Sequence, residues 1–286
     1  MTENVLNLNN LRLAVLIDAE NVPQNCIKRV LEEIAIYGTP TIKRIYGDWT
    51  SHLVSGWKPL LLENAITPIQ QYSYTQGKNS SDSAMIIDAM DIFYSGRTDG
   101  FVIVSSDSDF TRLAIRLREA GQRVIGIGEK KTPSAFIAAC DKFTYIEVIN
   151  ERYAKNGGAA ATASANKLQK DVNQTEKQPK KEVLSQKGKL GGTKAQDEAR
   201  AQPQKLPDDI IELIAGSVAD LTGDSGSVYL GELGSLIMKK KPNFDHRNFG
   251  YKTLSAMIIS CDRFDVECRQ NKGSNSKYFY VRDREA

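Results

Sequence analysis

Between residues 12 and 148, six short apolar runs alternate with stretches of helical periodicity, and this alternation restricts the chain to a mostly parallel α/β sheet. The runs fall at 12–17, 41–46, 67–71, 100–104, 123–127 and 144–148. Those ending at Ile17 and Val104 are rich in branched residues and apolar on both faces, as strands buried between two helical layers are. Helices are expected near 24–37, 58–64, 82–95, 109–120 and 133–139, where Pro133 suits a first-turn position.

Carboxylates stand where two of these strands end. Asp18 closes Leu13-Ala-Val-Leu-Ile17, and Ser106-Asp-Ser-Asp109 follows Gly100-Phe-Val-Ile-Val104. Open α/β sheets bind ligands at the carboxyl ends of their strands. Acids gathered there repel one another unless a cation neutralises them, and an oxygen-only ligand set favours Mg²⁺ or Mn²⁺ over zinc. Ordinary structural roles compete: Asp18 could cap the next helix, and Asp109 could cap a helix beginning at Phe110. Asp82, Asp88 and Asp91 share one expected helix. At 3.6 residues per turn, Asp88 and Asp91 lie about 240° and 180° around from Asp82, so the three cannot face one ion. Asp82, at the helix start, is the expected ligand; Asp88 is auxiliary and Asp91 solvated. Lys78 and the amides at Ser80-Ser81 would meet a phosphate at this helix N-terminus.

The formal charge of +3 is unevenly spread. Residues 154–205 hold eleven Lys and Arg against five Asp and Glu, a local balance of +6, with no aromatic residue and few aliphatic ones. Such a composition cannot bury enough apolar surface to fold, and it predicts a flexible basic linker between two domains at 10–150 and 206–283. The four cysteines form no CxxC pair and there are only two histidines, which argues against structural zinc and a disulfide scaffold. No apolar run is long enough to span a bilayer, and the first residues lack the basic-then-apolar order of a signal peptide, so a cytoplasmic location is expected.

Taken together, Val15-Leu-Ile-Asp-Ala-Glu-Asn21, Lys78-Asn-Ser-Ser-Asp82 leading into Ile87-Asp-Ala-Met90, Val104-Ser-Ser-Asp-Ser-Asp-Phe110 and Gly121-Gln-Arg-Val-Ile-Gly-Ile-Gly128 resemble the NYN domain, a branch of the PIN-like metal-dependent nucleases. The resemblance covers roughly residues 10–150 and implies a PIN-like, mostly parallel sheet sandwiched by helices. By position it puts the metal-binding acids at Asp18, Asp82, Asp107 and Asp109, with Asn21 as an auxiliary polar group. The chain departs from the family pattern at Ser106 and Ser81, where glycine or other small residues are usual.

The C-terminal part shows three helical patterns and a closing hairpin, a small winged-helix arrangement. Val228-Tyr-Leu-Gly-Glu-Leu-Gly-Ser-Leu-Ile237, Lys239-Lys-Lys-Pro242 and Phe249-Gly-Tyr-Lys-Thr-Leu254 are similar to the OST-HTH, or LOTUS, domain, which implies RNA binding. Lys239, Lys240, Lys241, Arg247, Lys252 and Lys277 are assigned to phosphate contact, while Phe244, Phe249 and Tyr251 at helical spacing read as core. The expected function is a Mg²⁺- or Mn²⁺-dependent ribonuclease. No histidine falls among the strand-end acids, so cation-activated water is favoured over a histidine base. Two other functions fit the same residues: an RNA-binding adaptor with little turnover, and a Mg²⁺-dependent phosphatase, the latter weakened by the lack of a phosphate-cradling glycine loop after the first strand. The C-terminal domain is also a candidate surface for a homodimer or a protein partner.

Overall fold

The computed structural model describes residues 11–72, 80–157, 206–222, 226–270 and 277–285. Lys78 and residues 158–205 of the expected linker lie outside them, whereas residues 154–157, expected within the linker, end the helix Ile146–Gly157. Six parallel strands, β1 (Arg12–Asp18), β2 (Thr39–Gly47), β3 (Thr67–Gln70), β4 (Gly100–Val104), β5 (Arg123–Gly128) and β6 (Lys142–Tyr145), form one sheet in the order β3-β2-β1-β4-β5-β6. The chain winds outward from β1 to β3, then crosses back to β4 and winds the other way. The strand order therefore reverses between β1 and β4, the place where doubly wound sheets open a crevice.

Alternation along β1 builds both layers. Leu13, Val15 and Ile17 point to one side and pack with α1 (Ile27–Ile34), α2 (Trp57–Asn64) and α6 (Ile146–Gly157) through Val30, Ile34, Trp57 and Ile149. Ala14 and Leu16 point to the other and pack with α3 (Ser80–Tyr94), α4 (Thr111–Glu119) and α5 (Ser134–Ala139) through Met85, Leu113 and Phe136. Burial on both faces explains why the strands read as continuous apolar runs.

One boundary differs from expectation. The last strand of this sheet is Lys142–Tyr145, and Ile146 and Val148, expected within a strand, begin α6. A short apolar run has no periodicity that separates a buried strand from a buried helical turn.

The C-terminal domain has three helices, α7 (Asp208–Leu221), α8 (Leu230–Lys240) and α9 (Leu254–Ile259), and a three-stranded antiparallel sheet of β7 (Val228–Tyr229), β8 (Phe264–Gln270) and β9 (Lys277–Asp283) in the order β7-β9-β8. Ile210, Ile214, Leu233, Ile237, Met257, Ile258 and Val281 form its core. A single helix expected over 248–260 is divided instead. A 3₁₀ turn at His246–Phe249 stops at Gly250, whose φ of 81° lies in the left-handed region, and Thr253 restarts the chain by accepting a 3.1 Å hydrogen bond from the Ala256 amide as an N-cap.

Candidate active site

The acidic residues gather at the reversal between β1 and β4. In-register pairing of Ile17 with Val104 brings the next residues of each strand, Asp18 and Ser105, side by side. Asp18 is only 2% exposed, and four donors hold its carboxylate. One oxygen accepts from the Glu20 amide at 3.0 Å and the Asn21 amide at 3.2 Å; the other accepts from the Asn21 side-chain amide and the Ser105 hydroxyl, both at 2.8 Å. A buried carboxylate needs such partners to stay folded without a neighbouring cation. Asn21 thus sits beside Asp18, with its backbone and side-chain amides on different carboxylate oxygens.

Beyond β4 the chain makes a tight polar loop. Ser105 accepts from the Asp107 amide at 3.0 Å, and Asp107 itself caps the following 3₁₀ turn by accepting from the Asp109 amide at 2.9 Å. The expected capping role thus belongs to Asp107 rather than Asp109. Ser106 accepts from the Glu129 amide at 2.8 Å, tying the loop to the end of β5. The two loops close because position 128 is glycine: a Cβ there would sit 2.6 Å from the Ser105 carbonyl oxygen.

Asp82 enters from the first turn of α3 and is 8% exposed. Burial pushes its carboxyl up to about 7, and the negative charges of Asp18, Asp107, Asp109 and Glu20 push in the same direction. These four acids therefore act electrostatically on one point. Glu20 is the member that the expected ligand set omitted, although the Asp18-x-Glu20 spacing carried the signal. Asp88 does not belong to the group: on another face of α3 it pairs with Arg44 and accepts from the Tyr46 hydroxyl, a structural role in place of the auxiliary one expected. Asp91 is exposed, as expected.

The donor set is all oxygen and acidic, which suits a hard divalent cation. Among the described residues, no three His, Cys, Asp or Glu side chains close into a ready-made metal shell. Donor chemistry and charge fit such an ion; a preformed coordination sphere is not part of the arrangement.

The expected RNA-contacting residues divide into three groups. Lys239 and Lys252 are exposed and make no ion pair among the described residues. Lys240 and Lys241 pair with Asp220 and Asp209 within the C-terminal domain. Arg247 is not on a phosphate-facing surface, because Glu33 and Asp245 engage its guanidinium in a largely buried position. Neither the Lys277 side chain nor Lys78 is among the described features. Phe244 is buried and Phe249 packs against it, both in the core as expected. Among the described residues, no helix is long and apolar enough to cross a membrane.

The NYN domain family matches residues 12–147, and the OST-HTH/LOTUS domain family matches residues 201–276. No curated protein matches the chain. Among solved structures, the chain is similar to a protein of unknown function from Vibrio parahaemolyticus at 18% identity, with 51% of this chain and 96% of that one covered and a TM-score of 0.42. It is also similar to an uncharacterized protein from Nitrosomonas europaea at 30% identity, with 35% and 92% covered and a TM-score of 0.26. The chain thus carries an NYN domain, which is a domain of the PIN-like nuclease superfamily, and a C-terminal OST-HTH/LOTUS domain of the RNA-binding class.

Proposed function

We propose that the chain is a Mg²⁺- or Mn²⁺-dependent ribonuclease that hydrolyses phosphodiester bonds at the acidic group and holds RNA with its C-terminal domain. The observation that carries this reading is the push on Asp82 from Asp18, Asp107, Asp109 and Glu20 at the sheet's reversal point. When bound, the divalent cation supplies positive charge against the phosphate and activates water for in-line attack. The protein's own groups do the positioning. Asp18 is fixed by its four donors, Asp107 is fixed by its part in the β4 loop, and these two with Asp82 and Asp109 would hold the cation, whose charge would favour the ionised form of Asp82. Lys239 and Lys252 attract the RNA backbone without reading its bases.

The four hydrogen bonds already made to the Asp18 carboxylate fit one alternative as well, an RNA-binding adaptor with little turnover. Incubation with RNA, DNA and p-nitrophenyl phosphate, each with Mg²⁺, Mn²⁺ or EDTA, separates the readings. Cleavage of RNA that EDTA abolishes supports the ribonuclease. RNA binding without cleavage under every condition supports the adaptor, and hydrolysis of the small ester supports a phosphatase.

A further inference from the structure

Strand β6 is the outer edge of the parallel sheet, and the C-terminal domain lies along it. An exposed strand edge leaves amides unpaired and invites association with other chains. Here the Phe143 amide donates to the Pro242 carbonyl at 3.0 Å, the Lys142 ammonium donates to the Phe244 carbonyl at 3.3 Å, and the Asn243 side-chain amide donates to the Tyr145 hydroxyl at 2.8 Å. Three consecutive residues, 242–244, thus each bond to the edge strand.

Beside this seam is a buried carboxylate that the first domain only partly satisfies. Glu33 stands on α1 among Ile27, Val30 and Ile34, and its side chain is 1% exposed. Within its own domain it accepts from the Tyr37 hydroxyl and from Arg152, each at 3.1 Å. Arg247, from the other domain, adds two parallel bonds at 3.0 and 2.7 Å, and the same guanidinium bonds Asp245. Burial, the largest influence, would raise the Glu33 carboxyl, yet it is lowered, because the bonds and charge of Arg247 together with Tyr37 and Arg152 outweigh desolvation. A paired fork of this kind is both strong and directional. Removing Arg247 would leave the buried Glu33 with Tyr37 and Arg152 alone, a costly loss for a desolvated charge. Half of the four side-chain bonds to Glu33 thus come from the second domain docked on this helix face.

We propose that Glu33 and Arg247 form an interdomain latch that fixes the C-terminal domain on the β6 edge, so that RNA held by that domain reaches the acidic group in a set register. The latch stands on geometry alone, whereas the register rests on the ribonuclease reading. Because the latch is buried, salt that weakens RNA contacts leaves it closed.

Two measurements on the full chain test the two parts, with Glu33→Gln as the shape-conserving variant and Arg247→Gln as the stronger one. In amide hydrogen exchange, both variants should exchange the β6 peptide at least about tenfold faster than wild type, with β1 and β4 unchanged as a check on folding. Equal protection of β6 in wild type and Glu33→Gln overturns the latch. On a 5′-labelled single-stranded RNA, wild type should cut within a narrow window, and the variants should cut over a wider one. An opened β6 edge with an unaltered cutting pattern overturns the register. If wild type cuts no RNA, the ribonuclease reading and the register fall together, and hydrogen exchange decides the latch by itself.

Discussion

The Ser105 hydroxyl donates a 2.8 Å hydrogen bond to the Asp18 carboxylate and accepts one from the Asp107 amide, so one buried side chain joins the acid-bearing ends of β1 and β4. Replacing it with alanine leaves Asp18 with three donors and frees the loop that carries Asp107. The variant should lose about 1–3 kcal/mol of stability, the cost of leaving buried polar groups short of a partner. RNA turnover should fall about tenfold, since small displacements of positioned groups slow catalysis steeply. Urea melts and single-turnover cleavage measure the two effects; a variant with wild-type turnover would show that Ser105 does not position the acids.

Asp82 gives the metal-free protein a distinct pH dependence. Its carboxyl in the folded chain is pushed up to about 7, against roughly 3.9 for an unfolded aspartate. Below about pH 4 both states hold the proton and Asp82 contributes nothing. From there to about pH 7 the unfolded state releases its proton while the folded state retains it, so this group's contribution to stability falls as pH rises and then levels off. In EDTA, Asp82→Asn should therefore melt above wild type at pH 8, and the two should converge toward pH 4. A variant that melts below wild type at pH 8 would contradict the repulsion that the site is built on.

The lysines of the C-terminal domain should contribute unequally to RNA binding. Lys239→Ala and Lys252→Ala should each weaken binding on every sequence and flatten the log-log salt dependence by about 0.7 for a single strand. Lys240→Ala and Lys241→Ala should do less, because these side chains are already paired with Asp220 and Asp209. RNA titrations at four or more salt concentrations read the slopes. Equal slopes for all four variants would place the RNA on another surface.

The part of the site built from chain-local signals was legible in the sequence. Asp18 and Asp107 follow apolar runs, and strand ends in such a sheet converge regardless of distance along the chain. Pairings between distant residues were not. Arg247 reads as one more basic residue until Glu33, 214 positions away, is placed beside it. Asp88 likewise reads as a spare acid until β2 brings Arg44 and Tyr46 to its face of α3. The shift from strand to helix at Ile146 was hidden for another reason: its apolar residues are buried in either conformation.

If Asp18 and Asp107 serve cation-assisted cleavage of RNA, removing either charge should remove the activity while leaving RNA binding in place. Wild type, Asp18→Asn and Asp107→Asn, purified side by side, are assayed on one RNA with Mg²⁺, with Mn²⁺ and with EDTA, while RNA binding is measured in parallel. The account predicts cleavage by wild type that EDTA abolishes, and a loss in both variants of about two orders of magnitude or more, in line with the several kcal/mol that a cation contributes to the transition state. Binding should be unchanged. Variants that cleave at the wild-type rate, or wild-type cleavage that survives EDTA, would contradict it.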